Sequence, residues 1–189
     1  MLTVIQNSSY QLNPDRIKDE AITNILVKAM TQFPSPQFDC ALHLLSPAQT
    51  NPTSTTELSE AVGHLRRLNL QLEGAQYERF WATLESDDIY ADLTTDIAGF
   101  EDMIRLRIAQ LISQSYREIG VQLLEAWLGL DSAEEVTKFA TETCGWKVAD
   151  GIVQIPKNAE NEAKKTEIRE DVNIDMFTRV IKRSWEETA

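Results

Sequence analysis

The chain has 189 residues, with 30 acidic against 18 basic side chains, a formal net charge of -12 and a 42 % hydrophobic share. That length allows one or two domains with an ordinary core. The acidic excess argues against diffuse, sequence-independent binding to nucleic acid. Two cysteines, Cys40 and Cys144, do not make a disulfide framework of the small secreted kind. Met1 to Ile5 meets polar residues at once, from Gln6 to Ser9, so no signal-peptide pattern is present. No apolar run approaches the ~20 residues that span a bilayer. The expected setting is the reducing cytoplasm.

In chain order, Asn13-Pro14-Asp15 opens a helix with Pro14 at an early position. Ile17, Ala21, Ile25 and Ala29 share its apolar face, flanked by Ile22 and Leu26, and Phe33-Pro34-Ser35-Pro36 stops it. A second helix is predicted from about Gln37 to Leu45. Ser46 to Thr56, rich in Ser, Thr, Asn and Pro, reads as a loop. Helical spacing returns over Glu57 to Leu72 with Leu58, Val62, Leu65, Leu68 and Leu72. Gly74 breaks it, and Tyr77 to Leu84 is a short helix whose Tyr77, Phe80 and Trp81 are core candidates. Asp87, Asp88, Asp92 and Asp96 surround Ile89, Tyr90 and Leu93 after Ser86, a connecting helix with acids near its start. Helix pairs of these lengths suit a helical-repeat, HEAT-like stack over residues 1–98, although no sequence repeat is visible.

Gly99 precedes a stronger helix on which Phe100, Met103, Ile104, Ile108, Leu111 and Ile112 share a face. It starts the second unit, residues 99–156, which reads as a winged helix. Ile119-Gly120-Val121 is a short β-type stretch and Gln122 to Leu130 a helix. Asp131 or Ser132 then caps a third helix, with Glu134 or Glu135 completing a capping box. Gly145 can end it in the left-handed conformation. Trp146 to Ala149, the turn Asp150-Gly151 and Ile152 to Ile155 form a predicted hairpin. The helix before the hairpin carries Asp131, Glu134, Glu135 and Glu142 against Lys138 alone. A groove reader needs positive charge there, because phosphate contacts dominate affinity. This winged helix therefore suits protein assembly. Residues 157–189 read as a polar linker followed by a last helix from about Asn173, with Ile174, Phe177, Ile181 and Trp185 on one stripe. An isolated helix of that length is marginal and must dock.

Catalytic constellations are scarce. Cys40 and His43 could share a helical face, but no third ligand lies near them to complete a zinc site. Cys144 lies at a helix C-terminus, where the dipole raises a thiol pKa. Gly99, Gly120, Gly129, Gly145 and Gly151 are scattered at turns and form no phosphate loop. No catalytic, cofactor or metal residue is assigned. The basic pairs Arg66-Arg67, Arg105 with Arg107, Lys164-Lys165 and Arg179 with Lys182-Arg183 read as solvated helix faces, with an RNA contact left open.

Tyr116-Arg-Glu-Ile119, Leu128-Gly-Leu130, the capped helix, Gly145-Trp146 and Ile152-Val-Gln-Ile-Pro156 resemble the small PCI subunits of the proteasome lid, the signalosome and eukaryotic translation initiation factor three. Tyr10-Gln-Leu-Asn-Pro14, Ile25 to Met30 with Phe33-Pro34, Phe80-Trp81, and Gly99-Phe-Glu-Asp102 with Ile104-Arg105 resemble the subunit k branch. Members usually carry several more helices before the Tyr-Gln-Leu-Asn-Pro stretch. The resemblance implies a non-catalytic scaffold without cofactor. It also implies other subunits of the initiation factor as partners, subunit l as neighbour, and support of pre-initiation complex assembly on the small ribosomal subunit. Carried over, Ile152, Val153 and Ile155 lie along or beside a sheet edge available for pairing, and Ile174, Phe177, Ile181 and Trp185 form a seam in a shared helical bundle. The alternatives are the same architecture in the proteasome lid or signalosome, a winged-helix RNA-binding module, and an enzyme built on the acidic cluster.

Overall fold

The computed structural model describes residues 19–50, 56–162, 177–179 and 181–183. The predicted opening at Asn13-Pro14 lies outside these residues, as do Ile174, Trp185 and most of the predicted linker. The described chain is mostly helical, with one small antiparallel sheet. Its helices are α1 Asp19–Met30, α2 Gln37–Leu42, α3 Pro47–Thr50, α4 Glu57–Glu73, α5 Tyr77–Glu85, α6 Asp88–Thr95, α7 Phe100–Ser115, α8 Val121–Leu128 and α9 Ala133–Lys138. The strands are β1 Glu118–Gly120, β2 Lys147–Ala149 and β3 Ile152–Gln154.

Apolar spacing decides which faces turn inward. In α4, Leu58, Val62, Leu65, Leu68 and Leu72 are all buried, and the Thr56 hydroxyl accepts from the Ser59 amide at its start. In α7, Phe100, Ile104, Ile108 and Ile112 are buried along the predicted stripe. Helix α1 packs on α2, α4 and α6; α5 bridges α4, α6 and α8; and α8 rests on α5, α7 and α9. The buried apolar side chains form one continuous cluster from Ile22 to Ile155. Each large one contributes roughly 1.5–3 kcal/mol by leaving water.

Two local readings need correction. The stretch Ser46 to Thr56 is not wholly loop, because Pro47–Thr50 forms one helical turn. Gln49 Oε1 accepts from both the amide and the hydroxyl of Ser46, at 3.0 Å each, which closes that turn at its start. The helix expected over Gln122 to Leu130 runs from Val121 to Leu128, because Gly129 (φ 58, ψ 54) turns left-handed directly after it.

The sheet has the order β1-β3-β2. Glu118, Ile119 and Gly120 pair with Gln154, Val153 and Ile152, and Lys147, Val148 and Ala149 pair with Gln154, Val153 and Ile152 from the other side. Asp150 (φ 52) and Gly151 (φ 76) both take positive φ, the two-residue turn whose twist suits a hairpin. Alternation then buries Ile119 and Val153 and turns Gly120, Ile152 and Ala149 outward.

Candidate functional site

Helix α9 is set by its cap. The Ser132 hydroxyl accepts from the Glu135 amide at 3.3 Å, leaving one face buried through Val136 and Ala140. After Lys138 the helix widens to a π turn over Phe139–Thr143, and the chain leaves it through Gly145 (φ 68). The Trp146 amide returns to the Ala140 carbonyl at 2.8 Å, and the Trp146 side chain is buried in the core. Asp131, Glu134, Glu135 and Glu142 all remain exposed. The solvent face of α9 and its π turn is therefore net negative.

The strand residues of the expected contact surface divide. Strand β3 is the middle strand, so neither of its edges is open to a partner, and Val153 and Ile155 are buried at 0 % and 5 % exposure. Ile152 and Val153 therefore lie beside the two outer strands and not on a free edge themselves, with Ile155 directly after β3. Ile152 alone presents its side chain outward, at 43 % exposure, between Gly120 and Ala149. Phe177 and Ile181 are exposed in helical conformation, at 58 % and 54 %.

The Gly99-Phe-Glu-Asp102 stretch has a packing role that spacing alone does not reveal. Gly99 (φ 72) starts α7 in the left-handed region and Phe100 goes into the core. Glu101 and Asp102 contact the Arg105 guanidinium at 3.0 and 3.3 Å. Arg105 in turn donates to the carbonyls of Leu128 (3.0 Å) and Gly129 (3.3 Å) and lies 4.9 Å over the Trp81 ring. It thus satisfies the exposed carbonyls at the end of α8 and stacks on an aromatic face. The Trp81 indole N–H donates to the Trp127 carbonyl at 2.9 Å. Arg107 does similar work at the end of α1, donating to the Thr31 carbonyl (3.3 Å) and to Gln32 Oε1 (3.1 Å). These two arginines are helix-end clamps, not the solvated face expected for them. An arginine three and four residues after two acids was the available signal.

Downstream of the sheet, Asn158 and Asn161 are anchored where a linker was expected. Their side-chain amides donate to the Ser113 carbonyl at the end of α7, at 2.7 and 3.0 Å.

The remaining candidates stay apart. His43 Nδ1 meets its own helix at the Asp39 carbonyl (2.7 Å), and Cys40 is exposed. Asp87 caps α6 by accepting from the Ile89 amide. No group of three potential metal ligands gathers among the described residues. Burial pushes the Cys144 thiol up to about 11. The direction is the expected one, with desolvation by burial as its cause.

A model of the CSN8/PSMD8/EIF3K family matches residues 16–167. The chain belongs to this family. Among its relatives in the CSN8/PSMD8/EIF3K family, it is similar to "Eukaryotic translation initiation factor 3 subunit K" of Neurospora crassa, with 76 % identity over 182 residues, 95 % of this chain and 77 % of that protein. The protein of the same name from Pyricularia oryzae is 71 % identical over 180 residues, 95 % of this chain and 75 % of that protein. The one from Botryotinia fuckeliana is 51 % identical over 189 residues, again 95 % of this chain and 77 % of that protein. The family expected from the sequence motifs is the family that matches, and the relatives carry the subunit k name. No described helix is long and apolar enough to cross a membrane.

Proposed function

We propose that this chain is a non-catalytic scaffold subunit of eukaryotic translation initiation factor 3. It works in the cytoplasm, supporting pre-initiation complex assembly on the small ribosomal subunit. The observation that carries the reading is the 76 % identity, over 95 % of the chain, to a protein named as subunit K of that factor. On this reading residues 1–98 act as a HEAT-like helical repeat, 99–156 as a winged helix, and 157–189 as a linker and docking helix. The acidic face of α9 supports an assembly role over groove reading, since it repels phosphate. Subunit l is the proposed neighbour.

Partners are held through exposed apolar side chains. Phe177 and Ile181 supply a seam, to which the sequence stripe adds Ile174 and Trp185 from outside the described residues, and Ile152 adds a contact on the sheet. Val153 and Ile155 act from beneath, by holding the strand that presents Ile152. The 58 % and 54 % exposure of Phe177 and Ile181 supports this, because large apolar side chains left in water at helical spacing favour a partner groove.

The test is Phe177→Asp combined with Ile181→Asp in the full chain, expressed tagged in its own cells. The variant should keep the wild-type melting temperature and lose initiation-factor subunits from the purified material. A folded variant that recovers the full set overturns the seam assignment.

A further inference from the structure

Helices α1, α4 and α6 enclose an open groove of about 680 Å³. Six carboxylates line it: Asp19 and Glu20 from α1, Glu57 and Glu60 from α4, Asp92 from α6 and Asp96 directly after it. Neither a lysine nor an arginine stands among the described residues lining it. Its apolar lining includes Leu58, which is buried, Leu93, half-buried, and Ile89, left 45 % exposed.

Helix dipoles explain four of these acids, which occupy first turns. They do not explain the other two. Asp92 lies within α6, and Asp96 is its C-cap, where the dipole disfavours an anion. Among the described residues, the Asn24 side-chain amide donates to Asp96 at 3.0 Å. Gathering like charges around exposed apolar surface costs stability unless a cationic group completes it.

We infer that this groove docks a partner's amphipathic helix bearing Lys or Arg beside its apolar stripe. Apolar anchors settle on Ile89 and Leu93 while the cationic heads reach the two acidic walls, the helix-in-groove mode of recognition. The docking is independent of the complex the chain enters and of the Phe177 seam, so either can fail alone. Phosphate-bearing ligands are repelled by the same walls.

The experiment uses the full chain and a fluorescent helical peptide of about 18 residues with Leu on one face and Lys on the other. A counterpart carries Glu in place of Lys. Anisotropy should show saturable binding of the Lys peptide that weakens with salt, and none of the Glu peptide. Glu60→Lys with Asp92→Lys should weaken binding by about tenfold or more at an unchanged melting temperature. Glu118→Lys with Glu142→Lys, the same charge change at exposed sites outside the groove, should leave it unaltered. Lack of saturable binding, equal binding of the Glu peptide, or equal weakening by the remote pair overturns the inference.

Discussion

Replacing Gly129 by alanine should cost this protein roughly 2–5 kcal/mol. Gly129 takes φ 58 and ψ 54, where an L side chain costs about 1–2 kcal/mol. The new methyl would also stand 2.5 Å from Trp81 Cγ and Cδ2 and 2.8 Å from Cδ1, inside any normal contact. Trp81 cannot back away easily. It is 5 % exposed, its N–H is held by the Trp127 carbonyl, Phe80 packs edge-on at 5.0 Å, and Arg105 covers its face. Forcing extra atoms into such packing adds about 1–3 kcal/mol. For a chain of this size the sum lowers the melting temperature by roughly 4–20 °C. Urea unfolding of the purified full chain measures the free energy directly. In a Trp81→Leu background the contact term should vanish, leaving only the backbone cost of about 1–2 kcal/mol. A loss below about 1 kcal/mol, or the same loss in both backgrounds, refutes the clash.

Further outcomes follow from the same structure. Arg105→Met keeps much of the stem but strips the carbonyls of Leu128 and Gly129 of their charged donor, and should cost about 1.5–3 kcal/mol in denaturant unfolding. Ser132→Ala removes the cap of α9 and should cost about 1 kcal/mol, with Ser132→Gly closer to wild type. Iodoacetamide at pH 8 should label exposed Cys40 well before Cys144, whose thiol at about 11 is ionised only to roughly one part in a thousand, as mass spectrometry of the peptides would show. Burial, with a smaller contribution from Tyr116, also raises the Tyr77 pKa. Both acids stay protonated in the folded chain at pH values where the unfolded chain has begun to ionise. Stability should therefore fall as pH rises from about 9 toward 11, and a flat profile there would contradict both shifts.

Much of the local structure is written in adjacent residues. Asp150-Gly151 specifies a turn with two positive φ values, and Ser132 with Glu135 specifies a helix start, so both are legible without the fold. The stripe from Phe100 to Ile112 declares a buried face by spacing alone. What depends on chain-distant partners is hidden. Arg105 reads as one more surface cation until the end of α8, 23 residues later at Leu128, arrives to be capped by it. Ile152 to Ile155 read as lying along or beside an edge, and only the strand order shows β1 and β2 on both sides of β3. The turn at Pro47 to Thr50 escapes because its composition is that of a loop, while its Ser46–Gln49 bonds act as a cap. The acidic groove is invisible for the same reason as the arginine clamps: its six carboxylates come from three separate stretches of chain.

The most direct test of the central claim is quantitative purification of the tagged wild-type chain from its own cells, with mass spectrometry of what it retains. The account predicts translation initiation factor 3 subunits in near-stoichiometric amounts together with small-subunit ribosomal proteins. Recovery of proteasome-lid or signalosome subunits in their place, or of the chain without partners, would contradict it.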